Sequence, residues 1–168
     1  MSRHNQTNPE LERAFIKMIQ NHERIIYKVC SFYASECFTM EDLYQETVYH
    51  LWKSFPKFRY ESSFSTWMYR VALNSCISVV RKESRHQQTA PLSFLTEDIA
   101  YEPDSEEEDL RELYRLIQQL KALDRAIILL WLEEKSYQEI ADITGLTLSN
   151  VATKLKRIKE SLKNMSNQ

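Results

Sequence analysis

Apolar residues recur along most of this chain at spacings of three and four, which is the period of a helix that buries one face. One such pattern runs through residues 15–29 and a second through residues 43–55. The residues predicted to face inward are Phe15, Ile16, Ile19, Ile25, Ile26 and Val29 in the first pattern and Leu43, Thr47, Val48, Leu51 and Phe55 in the second. Both patterns predict amphipathic helices.

Capping residues mark where the helices of the first half begin and end. Thr39 is placed to cap the second helix, with Asp42 three residues later able to return the capping bond, and Pro56 closes that helix. A third helix is predicted to begin near Ser63 or Ser65 and to end at about residue 85. Its inner face is predicted to hold Met68, Val71, Ala72, Ser75 and Val79.

The pattern near the C-terminus predicts two helices separated by a sharp turn. Ser136 and Glu139 have the spacing of a capping box, and the helix that they begin must stop at Gly145, because glycine adopts a left-handed conformation without a Cβ penalty. Thr147 then caps a helix whose inner face holds Val151, Leu155, Ile158 and Leu162. The small Ala141 permits a close crossing, so we predict a helix-turn-helix.

Composition supports an all-α fold of two small domains. The 168 residues include 1 Gly and 4 Pro, too few for the turns that strands and hairpins need. Residues 87–110 carry 8 Asp+Glu and no Lys or Arg, whereas the segments on either side each carry a net charge of +3. We therefore predict a helical domain at 1–86, an acidic linker at 87–110 and a second helical domain at 111–168.

Little in the sequence indicates a catalyst, a metal site or a membrane span. The three cysteines, Cys30, Cys37 and Cys76, lack CxxC spacing and are expected to be reduced and buried. The histidines have no metal-binding spacing, and a phosphate-binding loop is impossible with one glycine. The longest apolar run, residues 126–132, is far shorter than a membrane span. We expect a cytoplasmic protein that is no enzyme, has no cofactor and needs no metal.

A stripe of basic and hydrogen-bonding residues follows one face of the third helix. Its members are Arg70, Asn74, Ser78, Arg81 and Arg85, with Lys82 beside them. A solvated helix face is the alternative interpretation, but such a face usually mixes charges, and here no acid occurs before Glu83. The stripe favours a surface that faces phosphates.

Aromatic residues cluster immediately before and within the start of this helix. They are Phe58, Tyr60, Phe64, Trp67 and Tyr69. Rings near cations form a platform on which unpaired bases stack. Ordinary core is the alternative, and the pattern alone favours core for the set as a whole, with Trp67 expected to be packed.

The outer face of the second helix of the helix-turn-helix suits a DNA major groove. It offers Ser149, Asn150, Thr153, Lys154, Lys156 and Arg157. Hydrogen-bonding groups come first and cations follow, which allows contacts to base edges and to phosphates. The alternative is a helical hairpin with a lysine-rich surface.

Three segments together resemble the extracytoplasmic-function sigma factors of bacterial RNA polymerase. Residues 41–52, "EDLYQETVYHLW", resemble the helix that binds core polymerase; residues 58–82 resemble the segment that melts promoters and reads the minus-ten element; and residues 123–162 resemble the domain that reads the minus-thirty-five element. The resemblance implies two partners, core polymerase and promoter DNA. Many members of the family also have an anti-sigma factor, and we expect a free monomer that does not insert into membranes.

The resemblance also implies roles for individual residues. Asp42, Gln45, Glu46 and Trp52 fall in the core-binding segment. Ser62, Ser63, Phe64, Trp67, Arg70 and Asn74 fall where the family holds the opened non-template strand, and Thr153, Lys154 and Arg157 fall on its duplex-reading face. The acidic linker corresponds to the segment that follows the polymerase's RNA path. Ser78 stands where the family usually has an acid, and Ala152 near a usual basic position.

Two other functions are compatible with the residues alone. One is a helix-turn-helix regulator whose N-terminal domain senses a ligand or dimerises, since this motif serves many such proteins. The other is a helical interaction protein that never contacts DNA. A basic stripe beside clustered aromatics is not what a sensor domain would show, and charge reversal on the last helix would leave an interaction protein active.

Overall fold

The computed structural model describes residues 8–86 and 105–167, and within these ranges the protein is helical. Its elements are α1 (Pro9–Tyr33), α2 (Met40–Ser54), a 3-10 helix (Phe55–Lys57), α3 (Phe64–His86), α4 (Ser105–Gln118), α5 (Ala122–Leu132), α6 (Tyr137–Thr144) and α7 (Leu148–Ser166). Over the same ranges there is no strand, only an isolated bridge between Ser35 and Phe38. The all-α prediction is confirmed.

The chain divides into two compact units, and the division falls between Ser75 and Cys76, within α3. The first unit holds α1, α2, the 3-10 helix and the start of α3, and the second holds the rest of α3 and α4 to α7. The predicted linker lies mainly at residues 87–104, outside the described residues, and α4 begins at Ser105. The domain boundaries drawn from charge remain a prediction.

Helix α1 begins at a cap and is kinked near its middle. The Asn8 side chain accepts a hydrogen bond from the Glu10 N–H at 3.1 Å. His22 interrupts the helix with φ −127° and ψ 15°. Six α1 residues are buried, namely Phe15, Ile26, Val29, Cys30, Phe32 and Tyr33. Ile16, predicted to face inward, is 47% exposed, because α1 packs against α2 along a narrower stripe than the sequence suggested.

Helix α2 follows the predicted pattern closely. The Thr39 hydroxyl accepts from the Asp42 N–H at 3.2 Å, so Thr39 is the N-cap and Asp42 contributes its backbone. Leu43, Thr47 and Leu51 are buried against α1. The buried Thr47 hydroxyl lies 3.7 Å from the thiol of Cys30, so the polar atom has a partner inside the core.

Helix α3 buries a wider arc than one stripe. Met68, Ala72 and Ser75 are buried as predicted, whereas Val71 and Val79 are only half-buried. The remaining buried positions are Tyr69, Leu73, Cys76 and Ile77. Burial in α3 therefore extends beyond the single face that periodicity identifies.

The cysteine prediction was right for two of the three residues. None of the three cysteines forms a disulfide, and Cys30 and Cys76 are buried in helices. Cys37 is exposed, contrary to the expectation. The reason is local: Cys37 lies in the connection between α1 and α2, and not in a helix interior.

The second unit is built around α5. Five consecutive residues of this helix, 126–130, are buried, so it is covered on all sides along that stretch. Helices α6 and α7 pack on it and on each other, and α7 contributes Val151, Leu155, Ile158 and Leu162 to the core, as predicted. None of the described helices is long and apolar enough to cross a membrane.

Helix α6 begins with the predicted capping box. The Ser136 hydroxyl accepts from the Glu139 N–H at 3.2 Å, and the Ser136 N–H donates to the Glu139 carboxylate at 2.8 Å. That donated bond is the main reason why the pKa of Glu139 is lowered. The ionised Glu139 therefore stabilises the folded protein at pH values above the pKa of Glu139 in the unfolded chain. This stabilisation is lost as the pH falls through the lower pKa of Glu139 in the folded protein.

Gly145 ends α6 as predicted. Its φ of 76° and ψ of 13° are left-handed, and its N–H donates to the Ala141 carbonyl at 2.9 Å. A Cβ at this position would meet no heavy atom of the described residues within 4 Å. The turn therefore needs glycine for its backbone torsions and not for space.

Candidate nucleic-acid interface

The polar stripe on α3 is open to solvent. Arg70, Asn74, Ser78, Arg81 and Lys82 are all exposed. Glu83, the first acid after Phe64 in this helix, is half-buried beyond them. The side chain of Arg85 lies outside the described part of the chain. Such a one-sign face can contact several phosphates at successive turns of the helix.

An aromatic cluster lies at the N-terminal end of this stripe; it consists of Phe58, Tyr60, Phe64 and Trp67. The ring of Phe58 is 4.7 Å from that of Tyr60, 5.6 Å from Phe64 and 5.0 Å from Trp67, and Phe64 and Trp67 are 5.2 Å apart, all between centroids. Phe58, Phe64 and Trp67 are half-buried, so they are both packed and accessible. Tyr69, which the sequence grouped with them, is 3% exposed and belongs to the core.

Two elements outside the cluster support it. The kinked residue His22 of α1 places its ring 4.9 Å from that of Phe64, and the ring of Phe55 is 6.3 Å from that of Trp67. Ser63 caps α3 by accepting from the Thr66 N–H at 3.2 Å, while Ser62 is half-buried in the preceding loop. Of the predicted strand-holding residues, Ser62, Ser63, Phe64 and Trp67 therefore lie at the start of α3, and Arg70 and Asn74 follow along the helix.

A second candidate surface lies on α1 and α2. Asp42, Gln45 and Glu46 are exposed, as expected for residues that bind a partner. Trp52 is half-buried, with its ring 5.0 Å from that of Phe15. Beside them runs an apolar groove of about 560 Å³. It is lined by Glu12, Phe15, Ile16, Tyr44, Gln45, Val48, Tyr49 and Trp52.

The groove itself, and Tyr44 and Tyr49 in its lining, were missed by sequence reasoning. Tyr44, Val48 and Trp52 recur every four residues on α2, which was the available signal for a second apolar face. Tyr44 donates a hydrogen bond to Glu23 at 3.3 Å. Burial, followed by that carboxylate, raises the pKa of Tyr44 from 10.0 to about 12, so the phenol stays protonated. The groove is thus mainly apolar, and Tyr44 adds to it a protonated phenol that Glu23 holds in place.

The outer face of α7 is exposed except at one position. Ser149, Asn150, Thr153, Lys156 and Arg157 are exposed. Lys154 is half-buried, and its ammonium lies 3.4 Å from the carboxylate of Asp124 on α5. One turn further along, Lys159 lies 3.7 Å from the centre of the Trp131 ring, a cation–π contact between α7 and α5.

The Asp124 contact changes how Lys154 can meet DNA. An ammonium that already neutralises a carboxylate gains less from a phosphate than an unpaired one, and its stem is held in one direction. We infer that Asp124 restrains Lys154 and limits its contribution to sequence-independent binding. Asp124 gave no signal in the sequence, because it is 30 residues away from its partner.

We expect Asp124→Asn to raise affinity for random-sequence duplex DNA several-fold at low salt. Release of Lys154 adds one phosphate contact, so the slope of log K against log salt should steepen by about 1. Fluorescence anisotropy over a salt series measures both quantities. Asp142→Asn on α6 removes the same charge from the same unit, and an equal response in that control would contradict the restraint.

In the described ranges, no three His, Cys, Asp or Glu side chains gather in a metal-binding group. The candidate surfaces of the protein are an exposed cationic stripe with an aromatic cluster, an apolar groove and a helix-turn-helix. In combination these are features of a DNA-binding protein of transcription.

Two segments of the chain match family models. Residues 18–86 match the model of sigma-70 region 2, and residues 110–162 match the model of sigma-70 region 4. The chain is 34% identical over 134 residues to the RNA polymerase sigma factor YlaC of Bacillus subtilis, covering 74% of this chain and 76% of that protein. The chain therefore belongs to the sigma-70 family of RNA polymerase sigma factors, in its extracytoplasmic-function group.

Two further relatives support the group and the fold. The extracytoplasmic-function sigma factor SigW of Bacillus subtilis is 28% identical over 164 residues, which cover 89% of this chain and 87% of that protein. The sigma factor RpoE of Bartonella quintana, solved in complex with the anti-sigma factor NepR, superposes with a TM-score of 0.69 at 21% identity, covering 95% and 98% of the two chains. The protein is thus a sigma factor of transcription initiation.

Proposed function

We propose that this sigma factor binds core RNA polymerase through α2, reads two promoter elements through α3 and α7, and traps unpaired bases at one of them. The observation that carries the proposal is the exposed, acid-free stripe on α3 with the aromatic cluster at its end. Phosphate-binding cations and stacking rings on one helix suit a single strand of DNA, whose backbone and bases are both accessible.

The minus-ten element is assigned to α3 and the loop before it. Arg70, Arg81 and Lys82 would contact phosphates, because they are exposed cations along one face. Phe64 and Trp67 would offer ring faces to bases that leave the duplex, and Asn74 and Ser78 have donors and acceptors for base edges. Ser62 and Ser63 immediately precede Phe64 of the cluster, and their hydroxyls would bond to an extruded base.

The minus-thirty-five element is assigned to α7. Its first two turns carry Ser149, Asn150 and Thr153, whose polar groups would reach base edges in a major groove. Lys156 and Arg157 follow as exposed phosphate ligands, with Lys154 restrained by Asp124. The two readers lie on one chain, so neither needs to bind tightly alone.

Core polymerase binding is assigned to the exposed face of α2 and the adjoining groove. Asp42, Gln45 and Glu46 are exposed and would supply polar contacts, and Trp52, in the lining of the groove, would supply apolar area. An apolar centre with a polar rim is the usual anatomy of a protein interface. A partner that presents apolar and basic side chains would complement both parts.

Regulation and location follow from the family. The solved relative RpoE is bound to an anti-sigma factor, and we propose a regulator of that kind for this chain as well. We propose a cytoplasmic factor that catalyses no reaction itself and acts by directing the polymerase. The acidic stretch at residues 87–110 would follow the polymerase's RNA path, where its charge resembles that of RNA.

Promoter-dependent run-off transcription with bacterial core polymerase tests the proposal. Adding the full chain should yield a specific transcript that core alone does not make, and the chain should co-purify with core. Gln45→Ala with Glu46→Ala should weaken co-purification without changing the thermal midpoint. A chain that neither co-purifies with core nor supports any specific transcript would refute the proposal.

A further inference from the structure

Tyr60 has a backbone conformation that its residue type disfavours. Its φ is 59°, in the left-handed region where a Cβ is crowded. Glu134 is the other described non-glycine residue with a positive φ, and it follows the end of α5, where helices ordinarily take this conformation. Tyr60 lies in the loop between the 3-10 helix and α3, with no helix end to account for it.

The Tyr60 ring is also unusually exposed. At 78%, its exposed fraction is the largest among the described large hydrophobic residues outside the core. A left-handed loop position is filled more favourably by glycine or asparagine, and an exposed aromatic ring gains little from burial. Neither the backbone conformation nor packing explains a tyrosine at this position. A residue type that is unfavourable for the local structure is typical of functional sites.

The ring is nevertheless held in a defined place. Its centroid is 4.7 Å from that of Phe58, with 52° between the planes, and Phe58 in turn contacts Phe64 and Trp67. Tyr60 is therefore the open end of the aromatic cluster, anchored on one side and facing solvent on the other. Arg59 and Lys57, both exposed, bring cations to the same loop.

We propose that Tyr60 is a stacking site for an unpaired base of the opened promoter strand, one that joins the cluster at its outer end. The inference rests on the proposed function and extends it to a residue outside the family-derived set. An anchored ring with one open face suits the flat surface of any base, while the neighbouring cations neutralise the flanking phosphates. The ligand is a single strand, because paired bases do not expose their faces.

Three substitutions distinguish the effect of the Tyr60 ring from the effect of its backbone strain. Tyr60→Phe keeps the ring, Tyr60→Asn removes it but tolerates the left-handed conformation, and Tyr60→Ala removes it and keeps the strain. Tyr27→Ala is the matched control, since Tyr27 is a 50% exposed tyrosine of the same unit that contacts another ring, that of Tyr44. Thermal unfolding should place Tyr60→Asn about 3 °C above Tyr60→Ala.

The functional measurement uses holoenzyme assembled from core polymerase and the full chain. On pre-melted promoter templates with 2-aminopurine placed at successive non-template positions, the wild type should quench one position through stacking. Tyr60→Asn and Tyr60→Ala should restore fluorescence there and bind the melted template about tenfold more weakly. Tyr60→Phe and Tyr27→Ala should match the wild type.

The outcomes distinguish this inference from the proposed function. A wild-type holoenzyme that opens promoters while all Tyr60 variants behave alike would overturn the stacking site and leave the proposed function intact. Retained quenching in Tyr60→Asn would likewise overturn it, because that variant has no ring. A wild-type chain that fails to bind core or to make a transcript would instead refute the proposed function.

Discussion

Replacing Lys156 and Arg157 together with glutamate should abolish specific transcription from a promoter that needs its minus-thirty-five element. Both side chains are exposed on the outer face of α7 and have no part in its core, so the helix should fold normally. Two phosphate ligands become two repulsive charges, and we expect at least a hundredfold loss of promoter affinity at low salt. Run-off transcription and anisotropy with promoter duplex measure the effect.

Lys154 is a poorer choice for this test because of its partner. Glutamate at that position would face Asp124 at the distance of the present ion pair, and like-charge repulsion would confuse folding with DNA binding. Lys121→Glu with Lys163→Glu makes the same change of charge at exposed positions of the same unit and serves as the control. If the control loses transcription equally, net charge and not the α7 face governs binding.

Substituting Trp67 with alanine should destabilise the first unit by about 3 kcal/mol, at the low end for removal of a large aromatic side chain because Trp67 is half-buried. Its ring contacts those of Phe55, Phe58 and Phe64, so the deletion removes the common neighbour of three aromatic residues. Denaturant unfolding followed by circular dichroism measures the loss.

Trp131→Ala provides the comparison for the same change elsewhere. Trp131 is 38% exposed and contacts Lys159 through its ring face, so we expect a loss of about 1 kcal/mol or less. Equal destabilisation by the two substitutions would show that Trp67 is not the centre of its cluster. The Trp67→Ala variant should fail to open promoters under every condition in which its first unit is unfolded.

Features that depend on neighbouring residues were predictable from the sequence. The caps at Thr39, Ser136 and Thr147, the stop at Gly145 and the buried face of α7 are all confirmed. Each depends on groups within four residues of one another, so local geometry determines them without knowledge of the tertiary fold. The exposed stripe on α3 followed from the same periodicity.

Features that depend on distant residues were not predictable. Within one aromatic-rich segment Tyr60 is 78% exposed and Tyr69 is 3% exposed, and only the packing around α3 separates them. The contact between His22 and Phe64 joins residues 42 positions apart, at a kink that no proline or glycine announces. The groove between α1 and α2 likewise exists only once the two helices are packed.

The space around Gly145 is open, so the residue types that the turn before α7 accepts depend on the chirality of the α-carbon. Nothing described lies within 4 Å of the Cβ that an L residue would place there, so the φ of 76°, which L residues disfavour and D residues favour, and not crowding is what selects glycine. A D-alanine at this position, introduced by chemical ligation, should raise the thermal midpoint relative to glycine, because it favours the observed torsions and restricts the conformations of the unfolded chain. Handedness at a single α-carbon would then set the direction in which α7 leaves α6.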